Sequence, residues 1–484
     1  MGEQELIMGL EGSLGSSTGM LERAYAVADG HHAGGIEQQK RQEHREQTRG
    51  HRLPSYALLA LLAGCQPAPP TSILLISMDT FRADRIGRLG ADGQSLTPSL
   101  DALAARSVVF TSAYAPANET LFSHAALFTS QPASSWGALE ASTWQLPVQS
   151  KTLAGQLAQA GFWTEAIVAG GHLSPIFGLN NGFRRYVSME DWSSFQQTAP
   201  LAIERLSWLS SQEQPFFLMV HGYDTHTPYV KAGPLYRAGT PDYDGPLLAE
   251  ARDPDLYEQL YDGAWYPDYH PGQGPLSGKG QGTGRALVEY QQSPEVPKVT
   301  LTPADLDFLT GSYDLAAAHA DAWVGALLAA VEDSGLADST IVVVLGDHGE
   351  DLMEEGWFNH RHTLSDITLH VPLIVHLPGH APATIDTPTS LIDVAPTLLS
   401  SLGQTPPVDW SGRMLLDDAL SVRAIYSESP QGTVSLRTSD ERLVTTRDAL
   451  SADFPATAGP DDHFTGASWA AAKPLWTQLQ ERLP

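Results

Sequence analysis

Short apolar runs alternate with segments of helical periodicity along most of the chain, and this alternation limits the possible folds more than any other feature of the sequence. A short apolar run with polar residues at both ends is typical of a strand buried on both faces of a parallel sheet. Segments with helical spacing, such as 100–105, 152–160 and 316–332, separate the runs. The pattern predicts an α/β fold with a doubly wound, mostly parallel sheet. The predicted strands are 73–78, 107–110, 166–168, 216–220, 341–345 and 373–375.

Two regions depart from this alternation. Residues 232–300 are rich in Gly, Pro, Asp and Tyr. A long irregular insertion of this kind in a compact domain is usually a functional loop or lid. Beyond Trp410 the sequence predicts short strands and a terminal helix near 470–483. We therefore expect a main catalytic domain at 73–409 and a small C-terminal α+β subdomain at 410–484.

The composition excludes several classes of protein. The chain has 484 residues with 28 basic and 56 acidic side chains, and the formal net charge of −28 argues against nucleic acid as a partner. Hydrophobic residues make up 42% and charged residues 17%, which are values of a globular protein and not of a disordered chain. Because Cys65 is the one cysteine, a disulfide framework, a cysteine-rich zinc module and an iron–sulfur cluster are excluded.

The N-terminal part of the sequence predicts a lipoprotein signal. Residues 53–65 combine a preceding arginine, a short apolar core and small residues, and the sequence LAGC at 62–65 resembles a bacterial lipobox. The resemblance implies cleavage before Cys65, acylation of this residue and a lipid anchor in the bacterial cell envelope, periplasmic or at the cell surface. The alternative is a buried apolar segment with an incidental thiol. We expect 1–52 to be a disordered leader from a start codon assigned too far upstream, and 66–72 to be a tether.

Two polar motifs directly follow predicted central strands. Asp79 and Thr80 follow the first strand, and Asp347 and His348 follow the strand at 341–345. Ligands of doubly wound sheets bind beyond the carboxyl ends of the strands, so we expect the two motifs to meet in space. Carboxylate and imidazole groups together are suitable ligands for a divalent metal ion. The alternative for the second motif is a turn with a helix cap.

Hydroxyl and imidazole side chains occur in the sequence at 118–129, directly before a predicted helical segment. The N-terminus of a helix presents free N–H groups and a positive dipole, which bind oxyanions and lower the pKa of a nucleophile. Thr120 and His124 are the candidates for such a role. The alternative is ordinary capping of the helix by Ser123.

Further candidates for proton transfer or anion binding lie after other strands. His226 follows the run at 216–220, and Arg361 and His362 belong to a group of cationic or proton-donating side chains at 359–364. Each histidine could instead be an ordinary surface residue. Their common position after predicted strands favours a functional role.

Several motifs together resemble the sulfatase family of the alkaline phosphatase superfamily. They occur in the family's order from about residue 71 to 403. The resemblance implies a metal-dependent esterase of sulfate or phosphate esters, with an α/β core and a small C-terminal subdomain. The motifs are DTFRAD at 79–84, LTPSLD at 96–101, SHAALFT at 123–129, HTPY at 226–229, GDHGE at 346–350, VPLI at 371–374 and LIDVAPTLL at 391–399.

One departure from the family pattern affects the expected chemistry. Sulfatases of the usual kind carry Cys or Ser followed by x-Pro-x-Arg, and the first residue becomes formylglycine, whereas residues 120–124 read TLFSH. Thr120 cannot become formylglycine and resembles instead the nucleophile of the phospho-transferring branches, a metal-bound hydroxyl. His124 stands where the family has arginine, and Thr80 stands where many members have a second acidic residue. These differences imply a single metal ion and a preference for phosphate over sulfate esters.

The resulting hypothesis is a hydrolase of anionic esters, such as glycan esters or phosphoesters, with Thr120 as the nucleophile. His124 and His226 are expected to neutralise ester oxygens or to protonate the leaving alcohol, and Arg361 and His362 to face the substrate anion. The expected cofactor is one divalent ion: zinc or manganese is favoured by the imidazole ligand, and calcium by the family resemblance. The predicted metal ligands are Asp79, Thr80, Thr120, Asp347 and His348.

Two alternatives to hydrolysis remain open from the sequence. A phosphoryl-group transferase would use the same residues with an alcohol as the acceptor in place of water. A non-catalytic lipoprotein that binds sulfated or phosphorylated glycans is favoured by the loss of the family's Cys or Ser and arginine. Against it, a buried group of carboxylates such as Asp79 and Asp347 costs several kcal/mol unless a cation compensates. The sequence predicts neither the ester nor the oligomeric state.

Overall fold

The computed structural model of this protein divides the chain into two units, Met1–Pro69 and Pro70–Pro484. The structure describes residues 71–482 except 91–92, 138, 141–142, 191, 228, 230–241, 246, 248–263, 266–298, 356–357, 362, 418–421 and 460–461. The predicted leader at 1–52 and the predicted signal at 53–65, with Cys65, lie outside the described residues. So do His362, nearly all of the predicted tether and most of the insertion at 232–300.

Strands and helices follow one another through the described part of the chain. The strands are β1 (Ser72–Met78), β2 (Val108–Phe110), β3 (Ala113–Tyr114), β4 (Trp163–Val168), β5 (Arg185–Ser188), β6 (Phe216–Gly222), β7 (Ala264–Trp265), β8 (Val299–Thr300), β9 (Thr340–Gly346), β10 (Asp351–Leu352), β11 (Phe358–Asn359), β12 (Leu373–His376), β13 (Ala383–Ile385), β14 (Thr389–Ser390), β15 (Ile425–Glu428), β16 (Thr433–Arg437), β17 (Arg442–Thr446) and β18 (His463–Thr465). The helices are α1 (Pro98–Ala104), α2 (Thr120–Thr129), α3 (Leu153–Gln159), α4 (Phe195–Leu209), α5 (Pro303–Asp333), α6 (Asp366–Leu369), α7 (Val394–Ser401), α8 (Arg447–Leu450) and α9 (Lys473–Arg482).

The central sheet has eight strands in the order β13-β2-β12-β9-β1-β6-β4-β5. β1 pairs in parallel with both β6 and β9, and β4 pairs in parallel with β5 and β6. β12 runs antiparallel to its neighbours β9 and β2. The predicted α/β fold with a mostly parallel sheet is therefore confirmed, and the antiparallel β12 is a feature that the apolar run at 373–375 did not reveal.

Helices cover both faces of this sheet, which explains why its strands read as continuous apolar runs. Successive side chains of a strand point to opposite faces. Accordingly, Leu75 of β1 belongs to the buried cluster that contains Leu121 of α2. Its neighbour Ile76 belongs to the cluster that contains Val324 of α5. The core thus has two layers, and α2 lies on one face with its first residue at the carboxyl edge of the strands.

Helix α5 is longer than the sequence predicted. It begins at Pro303, where Thr302 forms a capping box with Asp305, and not near residue 316. Its length and apolar composition would suit a membrane span, but more than half of its most apolar window is buried within the protein. This burial and its packing in the second core layer are typical of the central helix of an α/β domain.

The C-terminal region forms a separate small sheet. The antiparallel strands β15-β16-β17-β18 pack their apolar side chains, including Leu436 and Leu443, against Trp476 and Leu479 of α9. This arrangement confirms the predicted small C-terminal α+β subdomain. Its proposed boundary at residue 410 stays a prediction.

Candidate functional site

The ends of β1 and β9 lie side by side because these strands pair in parallel register. Met78 is opposite Gly346, so the residues that follow, Asp79 and Asp347, leave the sheet together. The backbone N–H of Asp347 donates to the carbonyl of Met78 at 3.3 Å and extends the pairing by one residue. Both aspartates are buried. Strand register is therefore the reason that two motifs so distant in sequence meet in one site.

Thr80 shapes the turn after β1 through its backbone. Its φ of +53° lies in the left-handed region, which β-branched residues rarely adopt. Its N–H donates to Oδ1 of Asp347 at 3.0 Å, and its carbonyl accepts a hydrogen bond of 2.6 Å from the hydroxyl of Tyr313. The Thr80 hydroxyl donates to the carbonyl of Asp79 at 2.8 Å. These contacts do not support the prediction that Thr80 is a metal ligand, and they make it a residue that positions Asp347.

The carboxylates of Asp79 and Asp347 are not fully compensated by hydrogen bonds from the described residues. Oδ1 of Asp79 and Oδ2 of Asp347 are buried without a hydrogen-bond partner. Burial and the nearby charge of Asp79 raise the pKa of Asp347 well above its usual range. Burial also opposes the ionisation of Asp79, but its contact with His221 holds the pKa of Asp79 below its usual range. A cation between the two carboxylates would satisfy both orphan oxygens and allow both groups to ionise.

His348 completes a group of ligand atoms around this position. One ligand atom from each of Asp79, Asp347 and His348 lies within 4.8 Å of the others. Nδ1 of His348 is 3.0 Å from the carbonyl oxygen of Gly349, to which it donates, and this tautomer leaves Nε2 without a proton. Burial lowers the pKa of His348, so its imidazole is neutral. The donor set of two carboxylates and a neutral imidazole fits a divalent metal ion.

Thr120 lies directly beside these ligand atoms. It is the first residue of α2, not a residue before the helix, and Glu119 precedes it in extended conformation. The Thr120 hydroxyl donates to Oδ2 of Asp79 at 2.8 Å and is 3.4 Å from Nε2 of His348. The helix dipole favours negative charge at this end of α2. The helix dipole and a cation at this position would favour the ionised form of the Thr120 hydroxyl, whereas the carboxylate of Asp79 favours the protonated form.

His124 does not take the place that the sequence predicted. Its Nδ1 donates to the carbonyl of Thr120 at 2.9 Å, one turn back along α2, and its Nε2 is 2.9 Å from the hydroxyl of Ser77 in β1. Burial and the neighbouring His221 lower the pKa of His124 to about 3. A buried, uncharged ring bonded to protein at both nitrogens cannot replace a guanidinium as an anion clamp. The structure therefore corrects the predicted role of His124 to one of support beneath the site.

Ser123 does not cap α2, although ordinary helix capping was the alternative role that the sequence left open for this residue. The cap position belongs to Glu119, which makes no side-chain capping bond. The Ser123 hydroxyl instead donates to the backbone carbonyl of Asp347 at 2.7 Å. Ser123 thus ties the first turn of α2 to the loop that carries Asp347 and His348.

His226 and Arg361 lie around the ligand group, which consists of Asp79, Asp347 and His348. Both are less buried than these three residues. Nδ1 of His226 donates to the carbonyl of Thr227 at 2.7 Å, and its half-buried ring lies 5.5 Å from that of His360. The side chain of Arg361 is 45% exposed, and its Nε is 3.8 Å from Oε1 of Glu119 at the start of α2. Both predicted residues therefore border the site. His362 lies outside the described residues.

The structure adds to the site three residues that were not among the predicted site residues, although His360 belongs to the predicted cationic or proton-donating group at 359–364. Nε2 of the buried His221 is 3.7 Å from Oδ2 of Asp79, and the side chain of Tyr223 interacts with that of Thr120. His360 lies with its ring centre 4.3 Å from that of His348 and with Nδ1 2.9 Å from a carboxylate oxygen of Glu350. His221 and Tyr223 could have been found from their position at the end of the run at 216–220.

The chain resembles known proteins over most of its length. A sequence model of one family, described as Sulfatase, matches residues 71–404. Arylsulfatase A of Bos taurus is 26% identical over 87% of this chain and 84% of that protein. The ulvan-active sulfatase of Formosa agariphila is 27% identical over 67% of this chain and 51% of that protein, so the chain spans about half of its length. Among solved structures, the phosphonate monoester hydrolase of Agrobacterium radiobacter has a TM-score of 0.61 at 19% identity, covering 85% of this chain and 96% of that chain, and therefore shares the fold.

Replacement of Asp347 by Asn tests the metal site. Asn keeps the shape of a protonated Asp347 and can still accept hydrogen bonds from the N–H groups of Thr80 and His348, so the metal-free variant should melt close to the wild type. Saturating manganese should raise the Tm of the wild type by about 3 °C or more and leave that of the variant unchanged. Calorimetry with and without chelator measures both.

The matched control is Asp351→Asn, which replaces another buried aspartate whose pKa burial raises. This variant should keep the full Tm increase with manganese. An Asp347→Asn protein that gains the same increase as the wild type would contradict the assignment of the metal site.

Replacement of Ser123 by Ala tests the link between α2 and the Asp347 loop. The loss of one buried hydrogen bond should lower the free energy of unfolding by about 1 kcal/mol and should also weaken manganese binding, because the carbonyl of Asp347 loses its donor. Urea unfolding and manganese titration measure the two effects. Ser130→Ala is the control, since Ser130 makes an equivalent 2.7 Å bond to the carbonyl of Ile392 at the far end of α2. An equal manganese affinity in the two variants would show that Ser123 does not position the site.

Proposed function

Because the chain belongs to the sulfatase family of ester hydrolases, as its motifs predicted, we propose that it is a metal-dependent hydrolase in which the Thr120 hydroxyl attacks an anionic ester. One observation carries this proposal: Oγ1 of Thr120 is 2.8 Å from Oδ2 of Asp79 and 3.4 Å from Nε2 of His348, at the N-terminus of α2. The same position holds the nucleophile in the family that the motifs resemble.

The residues of this chain prepare Thr120 for attack. Asp79, Asp347 and His348 would hold one divalent cation, whose charge lowers the pKa of a nearby hydroxyl and stabilises negative charge on the ester. Asp79 accepts the hydrogen bond of the Thr120 hydroxyl and so fixes the direction of its O–H bond. The free N–H groups at the start of α2 then offer hydrogen bonds to the oxygens of the transferring group.

Groups at the edge of the site complete the proposed chemistry. The half-buried imidazole of His226 is the proposed proton donor to the leaving alcohol. The exposed guanidinium of Arg361 is the proposed partner of a substrate anion, since it lies beside Glu119 at the start of α2. His124, buried and uncharged, takes no part in proton transfer in this proposal. His362 keeps its predicted role as a partner of the anion.

The identity of the nucleophile favours phosphate over sulfate esters. A formylglycine hydrate can expel sulfate by collapse to the aldehyde, whereas a sulfated threonine has no such exit and must wait for water. Attack of water on phosphothreonine, which breaks the P–O bond and returns the hydroxyl of Thr120, is the release step that we propose. An acceptor alcohol in place of water would make the protein a phosphoryl-group transferase.

A non-catalytic glycan-binding protein is the second candidate. The observation that favours it is the neutral His124 at the position of the family arginine, because the described site then lacks a buried permanent cation from the protein. This candidate predicts that anionic glycans bind without turnover. Variants of Thr120 distinguish it from the first candidate.

Replacement of Thr120 by Ala should lower turnover of 4-nitrophenyl phosphate by roughly 1,000-fold or more, because the nucleophile is lost. Thr120→Ser should keep measurable activity, since a hydroxyl remains. Thr129→Ala is the matched control: Thr129 is buried at the other end of α2, where its hydroxyl donates to the carbonyl of Ala125 at 2.7 Å and accepts from the indole N–H of Trp136 at 3.4 Å. Intact mass of acid-quenched wild type should show a single phosphate on Thr120. Full activity in Thr120→Ala would contradict the proposal, as would faster turnover of 4-nitrophenyl sulfate than of the phosphate.

We further propose that the protein is a lipid-anchored component of the bacterial cell envelope, supported by the sequence at 62–65. Two or three acyl chains anchor a protein more firmly than one. The protein should therefore fractionate with membranes in its bacterial host, and Cys65→Ser should abolish this association. An unmodified Cys65 in the intact mass of protein isolated from the host would contradict the proposal.

A further inference from the structure

Trp192 is held in an unusual conformation between β5 and α4. Its φ of +64° lies in the left-handed region, which is strained for a bulky residue and persists only where the surrounding structure enforces it. The residue nevertheless remains 39% exposed, so burial of the indole does not explain the strain. Strained residues of this kind cluster at ligand-binding sites.

Three aromatic rings fix the indole in place. His226 lies 4.9 Å from it at an interplanar angle of 32°, and Tyr223 lies 4.9 Å from it at 61°. His172 meets it edge-on at 5.5 Å and donates its backbone N–H to the hydroxyl of Tyr223 at 3.2 Å. Tyr223 is fully buried and follows β6 directly. The indole is therefore supported by a rigid part of the central sheet, while part of it stays open to solvent.

A continuous series of ring contacts leads from Trp192 to the ligand group. The ring of His226 lies between Trp192 and His360, at 4.9 Å and 5.5 Å. The ring of His360 in turn lies 4.3 Å from that of His348. Tyr223, which supports the indole, also interacts with the Thr120 side chain. Trp192 therefore borders the same site from which the alcohol of a bound ester would extend.

We propose that Trp192 is the residue that binds the alcohol part of the substrate, as a stacking platform for its ring, either a pyranose or an aryl ring. The inference rests on the proposed function and adds to it the residue that distinguishes ring-bearing from acyclic alcohols. The face of an indole attracts both the C–H face of a sugar ring and the edge or face of an aryl ring. A short acyclic alcohol offers no such surface, so Trp192 discriminates between these two classes of ester.

A second exposed tryptophan gives an internal comparison. Trp208 is 38% exposed, almost as much as Trp192, but it lies within helix α4. Its ring packs on Trp163 at 5.1 Å, and the guanidinium of Arg205 lies over it at 4.2 Å. These neighbours belong to a structural cluster without any of the ligand-group residues. Trp208 is thus the matched control for exposure and residue type.

The experiment compares Trp192→Ala, Trp192→Phe and Trp208→Ala with the wild type on three phosphate esters. Glucose 6-phosphate and 4-nitrophenyl phosphate carry a pyranose and an aryl ring, and methyl phosphate carries neither. Trp192→Ala should raise KM for one or both ring esters by about 10-fold with kcat changed by less than about 2-fold, and should leave kcat/KM for methyl phosphate unchanged. Trp192→Phe should recover much of the loss, and Trp208→Ala should behave as the wild type. The ester that loses most identifies the pyranose or the aryl ring as the natural partner.

Two results would overturn the inference. The first is an equal loss of kcat/KM for methyl phosphate and the ring esters in Trp192→Ala, which would indicate a general structural role. The second is an unchanged kcat/KM for both ring esters. If the wild type turns over none of the three esters, the proposed function fails, and calorimetric binding of phenyl phosphate and methyl phosphate to the manganese-loaded protein then tests the platform alone. Tighter binding of phenyl phosphate than of methyl phosphate, lost in Trp192→Ala, would retain the platform. Equal binding of the two by the wild type would reject it.

Discussion

Two carboxylates buried side by side at the ends of β1 and β9 constrain the rest of the site. Asp79 and Asp347 are neighbours because the strand register allows no other arrangement, and each keeps one oxygen without a hydrogen-bond partner. Burial of such a pair is costly unless positive charge compensates. The protein holds Asp347 in this position with hydrogen bonds from the N–H groups of Thr80 and His348 to its side chain. Two buried carboxylates that are fixed so firmly, each with one oxygen left without a partner, form a site that fits a cation.

Helix α2 is positioned relative to these two carboxylates. The helix begins at the carboxyl edge of the sheet, and the bond from Ser123 to the carbonyl of Asp347 fixes its first turn to the ligand loop. Thr120 then faces Asp79, while His124 one turn later points to Ser77 beneath the site. Positive charge near Thr120, the proposed nucleophile, would therefore come from a cation, from the helix dipole and from Arg361 at the edge. This distribution differs from that implied by the family pattern, in which an arginine lies within the motif.

Features that depend on burial and strand direction could be predicted from the sequence, and those that depend on individual side-chain partners could not. The apolar runs revealed the strands because both faces of the sheet are covered, and the strand ends brought Asp79 and Asp347 together. The antiparallel direction of β12 could not be predicted from its short apolar run, since either strand direction buries the same residues. The backbone of Thr80 bonds to the side chain of Asp347, and the Ser123 hydroxyl bonds to the carbonyl of the same distant residue. The position of His124 depends on the start of α2, which the sequence placed too late. Trp192 gave no signal, because a positive φ at a tryptophan has no sequence signature.

We expect one cation to lie between Asp79 and Asp347 with the Thr120 hydroxyl beside it. Anomalous diffraction at the manganese edge, from crystals grown with manganese, would locate this ion. One strong peak should contact Oδ1 of Asp79, Oδ2 of Asp347 and Nε2 of His348, with Oγ1 of Thr120 in the same coordination sphere. A peak elsewhere, or no peak at this site in crystals that contain saturating manganese, would contradict it.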